Sequence, residues 1–252
     1  MTTANILSLV MTGLGALMAS AAVLATKRFK QRASLWLLVS ACVLGATGLL
    51  VAGILPLSAC SSNLSTMLAV SGLGAALSAL TLFRQRRETS IIGALLLAST
   101  LGIRTIWPSL TYTGLCPSSV PFQMAAILEA LAVGILAWGS LFVLAGAKDA
   151  GTSTVESVLA VALALQATTL VLRGTGAQWA WGSYWRWDAI ECWHLAACLT
   201  TAIGLLGVRA LNWRNRAARW ALYAAACLAV VVSFGLAPLA TWLGVNSLYV
   251  IG

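Results

Sequence analysis

The chain has 252 residues, 60% of them hydrophobic and only 8% charged, with a formal net charge of +9. Soluble domains carry about a quarter charged residues, so this composition excludes a water-soluble globular protein and predicts an all-α, polytopic membrane protein. The positive balance is not a nucleic-acid signal, because membrane proteins collect Lys and Arg in their cytoplasmic loops.

Eight apolar segments, each near the ~20 residues that cross a bilayer, are predicted at about 4–25, 34–56, 64–83, 90–107, 121–146, 154–172, 191–208 and 219–237. The first connection holds Lys27, Arg28, Lys30 and Arg32, and the third holds Arg84, Arg86 and Arg87. The fifth holds Lys148, and the seventh holds Arg209, Arg214, Arg216 and Arg219. The second and fourth connections carry no basic residue. By the positive-inside bias the odd connections are cytoplasmic, so both termini and the sixth connection are expected on the outer side of an inner or plasma membrane. No basic residue precedes the first apolar run, so no cleavable signal peptide is expected. The chain reads as one membrane domain, 1–252, with a four-helix part over 1–120 and a second part over 121–252. Gly48 with Ala52, and Gly72 with Ala76, are small residues at four-residue spacing that allow close helix packing.

Two charges fall inside apolar segments: Arg104 near the outer end of the fourth, and Glu129 about two turns into the fifth. Such residues face a bundle interior or a cavity, and the two are candidates to pair. Arg104 can equally snorkel outward. Cys60 and Cys116 lie in outer connections, where an oxidising compartment permits a disulfide. Cys42, Cys198 and Cys227 read as small buried residues. No Cys-x-x-Cys occurs, which excludes a thiol oxidoreductase or a c-type cytochrome by motif.

The densest signal is residues 179–193, Trp-Ala-Trp-Gly-Ser-Tyr-Trp-Arg-Trp-Asp-Ala-Ile-Glu-Cys-Trp, which hold five of the 11 tryptophans. An interfacial aromatic belt is one reading. A belt does not demand the order Trp181-Gly182-Ser183-Tyr184-Trp185-Arg186-Trp187-Asp188. Asp188 stands where an N-cap is wanted, so its carboxylate is expected to accept the N–H of Ile190 or Glu191, with Glu191 completing a capping-box-like pair. Glu191 also shares a helix face with His194, the single histidine, and is placed to orient its ring.

This ordered stretch resembles the tryptophan-rich signature of the haem-handling cytochrome c assembly superfamily, in particular its CcsA/ResC type, to which CcmC and CcmF are related. The resemblance covers about Pro121 to the C-terminus, including Gly244-Val245-Asn246-Ser247-Leu248-Tyr249, which looks like that family's ending. It implies haem handling at the outer membrane face during cytochrome c biogenesis, with non-covalent b-type haem as cofactor. Implied partners are a ResB/CcsB-like membrane protein, apocytochrome c and the surrounding lipid. Haem is a planar apolar ring with two anionic propionates. Trp179, Trp181, Tyr184, Trp185, Trp187 and Trp193 would offer faces, and Gly182 close backbone approach. Arg173, Arg186 and Arg104 are candidates for the propionates. The chain departs from the family in its ligands: Pro121-Phe122-Gln123-Met124-Ala125-Ala126 contains no histidine where the family has one, and Ala189-Ile190 replaces Pro-Lys. His194 is the remaining candidate for iron, with Met124 a weaker one. The alternative is a diverged structural or assembly subunit of a larger respiratory or photosynthetic membrane complex that no longer transfers haem. Arg104 and Glu129 leave a transporter as a third reading.

Overall fold

In the computed structural model, residues 3–28, 31–53, 64–82, 87–106, 119–145, 152–185, 187–211, 213 and 216–235 are described, and they are helical almost throughout. Among the described residues eight α-helices follow one another: α1 (Thr3–Arg28), α2 (Gln31–Gly53), α3 (Leu64–Leu82), α4 (Arg87–Ile106), α5 (Val120–Leu144), α6 (Thr152–Trp181), α7 (Ala189–Arg209) and α8 (Arg216–Val230). A π-helical turn, Val231–Gly235, continues α8. Six of the eight (α1, α2, α5, α6, α7 and α8 with its π turn) are long and apolar enough to cross a membrane. The apolar runs of α3 and α4 are shorter, Ser65–Thr81 and Ile91–Ile106. This is the architecture of a multi-pass membrane protein. Its large exposed side chains agree: Ile6, Leu7, Val10, Leu14 and Leu17 of α1 stand outward, a surface suited to lipid rather than water.

An apolar solvent leaves no water for polar groups, so each must be satisfied internally. The hydroxyls inside these helices do this by donating back one turn. Thr12 donates to the Ser8 carbonyl (3.0 Å), Ser71 to Met67 (3.0 Å) and Thr201 to Ala197 (3.0 Å).

The chain divides into two units, residues 1–110 and 111–252. In the first, α1 packs on α2 and α4, and α3 on α4 and α2. Small residues set the spacing, as expected. A Cβ on Gly48 would lie 2.9 Å from Thr12 Cγ2, and one on Gly72 would collide with Thr100. Ala76 is fully buried. Ser34 donates across to the Ala22 carbonyl at 3.1 Å, tying α2 to α1.

In the second unit the main-chain neighbours are α5 with α6, α6 with α7, α7 with α8, and α8 with α5. This ring puts α5 diagonally opposite α7. Helix α5 is the most enclosed of the four; Ser119 is its N-cap residue and Pro121 stands in its first turn, where a missing N–H costs nothing. Trp138 and Phe142 stack within it (5.4 Å between centroids) in the unit's core. At the other end, Arg209 of α7 holds Glu156 of α6 at 2.6 Å. The chain then folds back so that the Trp213 ring occupies the space a Gly207 side chain would need. Cys42 and Cys198 are buried as expected, but Cys227 is exposed, because it falls on the outward face of α8.

Candidate functional site

The tryptophan-rich stretch is mostly not a loop. Helix α6 runs on to Trp181, past the predicted end near 172, and α7 starts at Ala189, so the true connection is residues 182–188. The drop in hydropathy at Arg173-Gly174-Thr175-Gly176 ends the apolar segment but not the backbone ladder. Two left-handed residues make the connection tight: Gly182 (φ 73°), where glycine is at ease, and Trp187 (φ 57°), where a bulky residue is not. Asp188 closes it as the N-cap of α7, its carboxylate accepting the Ile190 N–H at 2.9 Å. Glu191 is the third residue of that helix.

The aromatic rings divide into two groups. Trp181 is turned inward, edge-on to Phe122 of α5 (5.6 Å, 64°), in a cluster with Ala177 and Ile190. The Phe122 ring fills the place where a Gly176 side chain would stand, 2.8 Å from its Cβ position. Trp185 is half-buried and meets Trp187 edge-on (6.0 Å, 84°); its indole N–H has no hydrogen-bond partner among the described residues. Trp179, Tyr184, Trp187 and Trp193 are exposed, Trp187 at 74%.

A buried ionic cluster joins the helices of the second unit. Glu129 of α5 accepts from Arg173 Nη2 of α6 through Oε2 (2.6 Å) and meets His194 Nε2 of α7 through Oε1 (2.8 Å). Ser233, on the π-helical turn, donates to Oε1 at 2.6 Å. Four elements are thereby joined at one carboxylate, across the diagonal that the helix backbones leave open. The other nitrogen of His194, Nδ1, lies 2.7 Å from the Ile190 carbonyl. A cavity of about 20 Å³ adjoins the cluster, lined by Glu129, His194, Ser233, Gln166 and Thr169 together with apolar side chains.

The candidates from sequence therefore separate. Glu129 is inside the bundle, but its partners are Arg173 and His194. Arg104, buried in the first unit, lies 3.4 Å from the Ser65 hydroxyl. The carboxylate that holds the His194 ring is Glu129, not its neighbour Glu191. A residue three positions away shares a face, whereas one on the opposite helix can meet the ring head-on. Arg186, Cys60 and Cys116 lie outside the described residues, and with them the second propionate candidate and the disulfide. Ser233, Gln166 and Phe122 belong to the arrangement without having been singled out. Only the intramembrane position of Glu129 signalled a buried partner.

The donor set tests the fit to haem. Exposed indole and phenol faces suit a flat apolar ring. The iron ligand does not fit: both His194 nitrogens are engaged within the protein, Nδ1 with the Ile190 carbonyl and Nε2 with Glu129. Met124 is exposed on α5. The sequence matches no protein-family model and no curated protein.

Proposed function

We propose that the chain positions haem by its ring faces at the outer surface of the membrane, as part of cytochrome c biogenesis. The reading assumes eight membrane crossings, both termini outside and the aromatic turn outside with them. The observation that carries it is the set of exposed rings in and beside one capped turn: Tyr184 and Trp187 in the connection, Trp179 at the end of α6 and Trp193 at the start of α7 present apolar faces to solvent or lipid. Exposed aromatic faces can stack on a flat apolar ligand. Haem would bring its own redox-active iron. Because His194 is occupied, the iron ligands fall to a partner, a ResB/CcsB-like membrane protein or the apocytochrome. The test is purification in mild detergent with native partners, followed by a pyridine haemochrome assay and a reduced-minus-oxidised spectrum. Near-stoichiometric b-type haem, lost in Trp187→Ala or Tyr184→Ala but kept in His194→Ala, supports the reading. Absence of haem from the native assembly overturns it.

A second reading is favoured by the ionic cluster. Arg173 and His194, the groups best suited to a propionate and to iron, are both bound to Glu129. A subunit whose cluster fixes its own helices, and whose aromatic turn docks a protein, uses them in this way. It predicts haem-free material that co-purifies with a larger complex.

A further inference from the structure

We infer that the outward face of α8 binds one phospholipid with a net anionic headgroup. Arg216 and Arg219 take the headgroup phosphate, and Trp220 and the small-residue stripe beneath it take an acyl chain. The inference is independent of what the aromatic turn binds.

Helix α8 has two unlike faces. Ala218, Leu222, Ala225, Ala226 and Ala229 are buried where the helix packs on α5, α6 and α7. On the other side Arg216, Trp220, Ala224, Cys227 and Val231 follow at three- and four-residue spacing, so they form one stripe along the helix. All five are exposed, Trp220 at 61%.

Chemistry sorts this stripe by depth. Arg216 and Arg219 stand at the start of α8, whose first turn holds no acidic residue. Neither pairs with a carboxylate among the described residues, unlike Arg209, which holds Glu156. Trp220 follows one turn after Arg216 and meets Tyr223 edge-on (5.9 Å, 88°). Indole and phenol rings favour the headgroup level of a bilayer. Further in, the stripe is apolar, and Ala224 and Cys227 are smaller than the tryptophan above them and the valine below. From Arg216 to Cys227 the helix rises ~16 Å, about half of the ~30 Å hydrocarbon core, which is the depth of one leaflet.

That order matches an amphiphile. A soluble acidic partner satisfies the arginines and leaves the apolar stripe uncovered. A zwitterionic headgroup brings its own ammonium to the phosphate, whereas a net anionic one leaves the phosphate to the two guanidiniums, which bind it by charge-assisted hydrogen bonds. The same spacing recurs at the start of α2, where Arg32 precedes Trp36 by four residues and Trp36 is 67% exposed. In both helices an arginine stands one turn outside an exposed indole.

The test uses the full chain labelled with 5-fluorotryptophan, in which each of the 11 tryptophans gives a ¹⁹F resonance. The resonance lost in Trp220→Phe identifies Trp220. In phosphatidylcholine nanodiscs, increasing phosphatidylglycerol should shift the Trp220 resonance saturably, and inorganic phosphate should not. Arg216→Gln with Arg219→Gln should weaken the response about fivefold per arginine removed. Arg32→Gln, which removes a charge from α2 instead, should leave it unchanged, and the remaining resonances report that the variants are folded. No shift in the wild type overturns the inference without recourse to any variant. A shift that never saturates, or one weakened as much by Arg32→Gln, reports bulk surface charge and overturns the site. An equal shift with inorganic phosphate overturns the lipid as occupant, and an undiminished one in the folded double variant overturns the two arginines.

Discussion

His194 Nε2 of α7 and Glu129 Oε1 of α5 lie 2.8 Å apart, joining two helices whose backbones are diagonal in the bundle. The proton count at this contact follows from its neighbours. A carbonyl only accepts, so His194 Nδ1 donates to Ile190. One proton therefore lies between Nε2 and Oε1, whichever atom holds it. Arg173 and Ser233 add two more donors to the same carboxylate. Such a network is stable only when complete, because its parts are buried.

Glu129→Ala removes the shared acceptor and leaves Arg173 and His194 without their carboxylate. Breaking a buried pair from one side costs about 3–5 kcal/mol, so a large loss of stability is expected in detergent unfolding. Glu129→Gln keeps the shape and should cost less. In a double-mutant cycle, Glu129→Ala with Arg173→Met should be less harmful than the sum of the two changes, since removing both partners strands no charge. Additive effects would show that the contact carries no coupling energy.

Asp188→Ala should destabilise the start of α7 by about 1 kcal/mol, the usual loss when an N-cap side chain is removed. Asp188→Asn should be nearly silent, because an amide oxygen caps as well. The comparison is made by equilibrium unfolding, and equal losses in both variants would mean that the carboxylate acts by its charge rather than as a cap.

The helices were legible because lipid-facing segments are apolar all round, and hydropathy counts them without needing a face. The same property hid the cluster. An evenly apolar helix gives no periodic clue to which side faces inward, so Glu129 could be read as buried but not assigned to Arg173, 44 residues away, or His194, 65 away. Asp188 was legible because an N-cap is local: a favoured residue with its acceptor geometry fixed two positions on. The length of α6 was not, because an apolar segment and a helix end for different reasons. Polarity ends the first at Arg173, and only Gly182 ends the second.

Gly176→Val tests how the inner aromatic cluster is seated. The Phe122 ring occupies the position of the missing Cβ at 2.8 Å, so a side chain there must displace a ring packed against Trp181. Overpacking of this kind costs about 1–3 kcal/mol. Gly102, whose Cβ position has nothing within 4 Å, is the control, and Gly102→Ala should leave thermal stability almost unchanged. Similar losses at both sites would mean that position 176 suffers from helix effects alone.

Trp187 separates backbone from side chain at the aromatic turn. Its φ of 57° is left-handed, which costs a non-glycine residue of order 1 kcal/mol or more. Trp187→Gly relieves that strain, whereas Trp187→Ala keeps it. The glycine variant should therefore be the more stable of the two by about 1 kcal/mol, an order opposite to the one expected at an exposed right-handed position. Both variants lack the exposed indole. If that ring is a face for haem, they should lose haem to the same extent despite their different stabilities. If the ring serves only the turn, haem retention should follow stability, with Trp187→Gly keeping more than Trp187→Ala. Measuring unfolding and the haemochrome spectrum on the same two preparations distinguishes the cases.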